Sequence, residues 1–222
     1  MEALPDGLLV EVQRRLEGIY ALEACAPVTD FLIPASASAS LPGAGSRTLL
    51  AQEGEELALA VVLEDGVRED LAHGDPRVRL DDDNLPALCV LTEEVSHFLY
   101  LLFCARSGRT ITELELELQG EVDKYLTATC LLSLQNEGAV SRQLRELLFR
   151  RYRLREGLSA ERAERYHTAS RLADRYCGWL EQRLLQPSRL PELCREARRF
   201  YRLGQREKLE RIADVASASL LF

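Results

Sequence analysis

The chain has 222 residues, 46% of them hydrophobic and 29% charged, with a formal net charge of −8. That balance excludes an intrinsically disordered chain and is enough for one sizeable core. The opening Met1-Glu2-Ala3-Leu4-Pro5-Asp6 has neither the basic nor the apolar run of a secretory signal, and the longest apolar stretch, Leu85 to Cys104, is broken by Glu93, Glu94 and His97, so neither export nor a membrane span is expected.

Leu8, Leu9, Val12, Leu16, Ile19 and Tyr20 recur at helical spacing and predict a first amphipathic helix over 8–22, ended by Pro27. Residues 34–46 are an Ala/Ser/Gly loop with little to pack. Arg47 to Ala51 and Leu57 to Leu63 flank Gln52-Glu53-Gly54-Glu55 and read as an antiparallel hairpin. Residues 64–83 are acidic and turn-rich, with room for one short helix and a short strand at Val78-Arg79-Leu80. Asn84 or Asp83 is placed to cap a helix that Gly108 ends, and Thr112-Glu113-Leu114-Glu115 is a capping-box pattern opening a helix to about Asn136. Further helices are expected over 141–155, 159–185, 191–202 and 205–217. The expected fold is thus α+β and predominantly α: one domain over 1–222, with five or six core helices and a small antiparallel β-hairpin after the first helix. An acidic part (1–83) precedes a helical part (84–222) that is arginine-rich after 139.

The scattered cysteines, Cys25, Cys89, Cys104, Cys130, Cys177 and Cys194, form no Cys-x-x-Cys and read as reduced thiols in a cytoplasmic setting. Lys124 and Lys208 are the only lysines; with scarce Asn and Ile this points to a GC-rich, bacterial genome. Residues 1–138 carry a net −16 and residues 139–222 a net +8. A basic face for nucleic acid would produce such a split, and so would two oppositely charged halves packing together. A pI near 5.1 favours the second.

Glutamate precedes histidine by three residues at Glu94/His97 and at Glu164/His167, a spacing that puts both side chains on one helical face. Carboxylate-bridged di-metal bundles use this device twice, with a glutamate from each of two other helices. On the helix through residue 94, taking about 100° per residue, Glu94 lies roughly 50° and His97 roughly 110° from the centre of the apolar stripe. Glu121 fills a vacant place in the apolar seam Leu114, Leu118, Tyr125, Ala128, Leu132, where an unpaired acid is costly. His167 borders its helix's stripe, whereas Glu164 points away from it. The metal-ligand candidates are therefore Glu94, His97, Glu121 and His167, for iron, manganese or zinc. Without metal, Glu121, His97 and His167 are the acid–base candidates. Lys124 is placed to pair with Glu121, and Arg171, Arg175 and Arg199 are candidate anion-binding residues.

Three function classes follow. The first is a non-catalytic interaction or ligand-binding protein, with a protein partner or a small anionic ligand. The second is an enzyme built on Glu94, His97, Glu121 and His167, with or without a ferritin-like metal site. The third is a nucleic-acid binder using the arginine-rich half. The chain carries no nucleotide-binding loop, serine-hydrolase elbow or zincin motif to extend this set.

Overall fold

Two long central helices organise the computed structural model, which describes residues 4–23, 25–37, 41, 43–53, 56–138, 143–151, 154, 157–183 and 185–219. Among these residues there are eight α-helices: α1 (Leu4–Tyr20), α2 (Asp65–His73), α3 (Leu85–Arg106), α4 (Glu113–Gln135), α5 (Leu144–Phe149), α6 (Ala160–Arg183), α7 (Leu190–Arg202) and α8 (Gln205–Ser219). Three strands, β1 (Leu32–Ile33), β2 (Arg47–Glu53) and β3 (Glu56–Val62), lie between α1 and α2 in the chain. The predominantly α architecture matches the sequence reading. The helix count is larger than five or six because the short α2 and α5 also bury side chains, Leu71 on one and Leu144, Leu148 and Phe149 on the other. The last of these helices is shorter than expected, and residues 139–142, 152–153 and 155–156 lie outside the described residues.

The hairpin is present, with β2 and β3 antiparallel from Arg47↔Val62 to Glu53↔Glu56. Its Gly54-Glu55 turn lies outside the described residues. The sheet is nevertheless mixed, because β1 pairs parallel with β3 through Leu32↔Val61 and Ile33↔Val62. Two apolar residues after a 3₁₀ turn were too short a signal to read as a strand. No strand forms at 78–80. Gln135 holds that segment as a turn, donating to the carbonyls of Pro76 and Arg77 and accepting from the Leu80 N–H.

The expected Thr112 cap is present: its hydroxyl accepts from the Glu115 N–H at 3.2 Å. Asn84 stands at the N-cap of α3, but its side chain ties the preceding loop instead, donating to Gly74 and Arg79 and accepting from Asp81. α1 ends at Tyr20, well before Pro27, with Ala21 at φ 49°. Its last carbonyls are satisfied from α7, where Arg198 donates to Gly18 and Ile19 and Arg202 donates to Tyr20. Two of the late arginines therefore complement the negative end of α1.

Pairings between α3 and α4 show that they run antiparallel: Glu93 meets Lys124, Ser96 meets Asp123, and Tyr100 meets Glu115. α1, α2 and the sheet pack on α3, while α5 and α6 pack on α4. Both central helices are consequently enclosed on most sides. By length and composition α3 is apolar enough to cross a membrane, with mean hydropathy 1.5 over its best window, and 72% of that window is buried inside the fold.

Candidate functional site

Enclosing α3 and α4 brings charged residues inside, and they gather beside a cleft. The cleft, about 910 Å³, opens between the segment around Arg47–Leu49, the first half of α3, and α5 with the residues after it. Leu85, Val90, Leu147, Leu148, Leu154 and Leu158 line its sides. Glu93, Glu94, Glu121 and Lys124 line its inner wall. Behind them lie His97 and Glu117, both buried.

Lys124 is the hub. Its ammonium donates to Glu93 Oε2 at 2.9 Å and to Glu121 Oε1 at 2.8 Å. Burial opposes its charge, but Glu121 and Glu93 outweigh that and raise its pKa well above the ordinary lysine value. Burial likewise raises the Glu93 carboxyl, and the Lys124 charge, the largest opposing cause, reverses this and holds it low. The other carboxyls are driven upward. Burial and the Glu93 charge raise Glu94 despite a hydrogen bond from the Thr48 hydroxyl at 2.8 Å. Burial raises Glu121 although Lys124 pulls it down. Burial and Glu93 push Glu117 up to about 8, against Lys124 and Arg165. Lys124 and, at Glu117, Arg165 thus face four glutamates, an excess of acid that protons or another cation must offset.

His97 is 7% exposed, and burial lowers its pKa, which favours neutral imidazole. Its Nε2 has no hydrogen-bond partner; Glu117 Oε2 stands 3.7 Å away. One oxygen each from Glu93 and Glu117 and a ring nitrogen of His97 lie within 4.8 Å of one another. The ring fits because residue 120 is glycine: a Cβ there would lie 3.1 Å from His97 Nε2 and 3.5 Å from Glu93 Cγ. Gly→Ala inside a helix ordinarily stabilises by up to about 1 kcal/mol. Here Gly120→Ala is expected to destabilise by about 1–2 kcal/mol, because the ring has to move. Urea unfolding measures the sign, and a stabilised variant would show the ring free to shift.

Comparison of this chain with protein-family models, curated proteins and solved structures finds no match. The reading of the site therefore rests on its own chemistry.

Of the residues the sequence singled out, Glu94, Glu121 and Lys124 line the cleft and His97 lies behind them, but the carboxylates whose oxygens converge on His97 are those of Glu93 and Glu117, not Glu94 and Glu121. The structure does not bring His167 there. That residue and Glu164 are exposed on α6, and Glu164 accepts from Thr168 and Arg171. The second Glu-x-x-His is a surface feature, so the doubled di-metal arrangement is not assembled among the described residues. Arg171, Arg175 and Arg199 are also exposed and do not line the cleft. Glu93 and Glu117 were missed. Glu93 reaches His97 at a spacing of four, not the three of the Glu-x-x-His pattern, and Glu117 lies roughly 60° from the centre of the α4 seam, at its border, where the wheel does not mark a residue as buried.

A second buried network lies further along the same helix pair, and it too was missed. Asp123 accepts from Tyr20, from Ser96 at 2.6 Å and from Gln119 at 3.0 Å. Burial raises its carboxyl to about 6 despite these donors. Gln119 accepts in turn from Lys208, whose ammonium lies 4.5 Å from the Tyr100 ring centre and 4.7 Å from that of Phe200. Both lysines of the chain are therefore internal.

Proposed function

We propose that this is a ligand-binding protein whose cleft takes a small amphipathic molecule, its apolar body against the leucines and a cationic or hydrogen-donating end against Glu93, Glu94 and Glu121. The observation that carries this is the apolar cleft ending in a buried excess of carboxylate over its single lysine. An anionic end would meet three glutamates and one lysine at that wall, although Arg47, Arg151 and Arg162 also line the cleft. The six free cysteines support a reducing, cytoplasmic setting.

The enzymatic alternative keeps Glu94, His97 and Glu121 but has no second imidazole in the cluster. The nucleic-acid alternative is weakened by how the C-terminal arginines are used: Arg145 pairs with Asp174 and Glu181, Arg165 with Glu113, Arg211 with Glu196, and Arg198 and Arg202 with the end of α1.

Calorimetry with decylamine, decanol and decanoate tests the proposal. Decylamine is expected to bind at least about tenfold more tightly than decanoate, and Val90→Trp, which narrows the cleft, to weaken that binding. Equal binding of all three, or decylamine binding unchanged by Val90→Trp, contradicts it.

A further inference from the structure

The carboxylate excess alone does not define a site, but the orphaned imidazole nitrogen beside it adds an independent observation. We infer that Glu93, His97 and Glu117 form a binding site for a first-row divalent cation such as manganese or zinc, with its open coordination position facing the cleft. The proposal is independent of what the apolar part of the cleft holds.

The donor set is one imidazole and two carboxylates, which suits manganese, iron and zinc. Ligand atoms about 2.1 Å from a tetrahedral ion lie about 3.5 Å from each other. His97 Nε2 and Glu117 Oε2 are already 3.7 Å apart, and the Glu93 oxygen needs only a small closure, since all three donors lie within 4.8 Å. His97 is more than nine-tenths buried and its Nε2 has no hydrogen-bond partner in the protein, a position that buried polar atoms usually resolve with a water or an ion. The missing Cβ of Gly120 leaves room at that nitrogen. Two ligands come from α3 at a spacing of four residues and the third from the facing turn of α4, so rigid elements hold all three. Glu93 also lines the cleft, so an ion bound to it is reached from there.

Lys124 shares Glu93 with this site and competes for it. Removing the lysine's charge is therefore expected to strengthen ion binding. The probe is Mn²⁺, which thiols bind poorly, titrated into the full chain after treatment with and removal of EDTA. Loss of the free-ion EPR signal and the rise in Tm are the readouts. One ion per chain is expected, weakened roughly tenfold or more in Glu117→Gln and in His97→Gln and strengthened roughly tenfold in Lys124→Met. Glu117→Gln keeps the shape and hydrogen-bonding of the protonated acid, so its fold is retained, which circular dichroism checks. No saturable binding in either the wild type or Lys124→Met overturns the inference. So does binding that survives loss of both Glu117 and His97. Mn²⁺ is further expected to weaken decylamine binding through their shared Glu93; if decylamine does not bind at all, the ion titration still decides the metal site by itself.

Discussion

Lys124→Met is expected to lose on the order of 3–5 kcal/mol of stability at about pH 8, the usual effect of leaving one side of a buried ion pair uncompensated. The loss should depend on pH in a particular direction. In the wild type, Lys124 holds the Glu93 carboxyl below its ordinary value, so Glu93 contributes stability above the unfolded carboxylate range and loses it as pH falls. Without the lysine, Glu93 joins Glu94, Glu117 and Glu121 as a carboxyl raised by burial, and ionising any of them in the fold then costs stability as pH rises. The gap between the two proteins should therefore be small near about pH 4.5 and widen to its full value above about pH 8. Urea unfolding at three pH values measures it. A gap of equal size throughout would assign the loss to the packing of the lysine's aliphatic stem.

Lys208→Met should change sign with pH. The Lys208 side chain is 0% exposed, and burial lowers its pKa from 10.5 to about 7, with Glu115 and Asp123 opposing the shift and Arg109 adding to it. Between those values the unfolded chain binds a proton that the folded chain lacks, so wild-type stability rises with pH by on the order of 4 kcal/mol from this group. Methionine fills a similar volume and removes that slope. At about pH 6 the variant is relieved of a buried charge but leaves the Gln119 oxygen without its donor, for an expected net gain of about 2 kcal/mol. At about pH 10 only the lost hydrogen bond remains, and the variant is expected to be weaker by about 1–2 kcal/mol. Parallel stability curves would show that Lys208 does not titrate in this range.

These two lysines show where reading the sequence succeeds and where it stops. Scarcity made Lys124 and Lys208 conspicuous, and the place of Glu121 in an apolar seam marked it correctly as buried. Glu115, Glu117, Gln119 and Asp123 passed unnoticed although they occupy alternate positions of one helix. That spacing carries polar groups round every side of α4, so no single apolar stripe marks which of them are buried, and only the enclosure of α4 on most sides decides it. His167 failed for the converse reason. It borders the apolar stripe of α6, and α6 keeps one side open to solvent, so a residue at the border turned outward.

Chain-local physics determined the helical character, the Thr112 cap and the β2–β3 hairpin, because propensity, capping and side-chain periodicity act over a few residues. Tertiary structure alone decided which carboxylates share a site. Glu93, His97, Glu117 and Lys124 meet only because α3 and α4 run antiparallel in one particular register. The packing of α1, α5, α6 and the sheet around that pair removes the water that would otherwise solvate each charge separately.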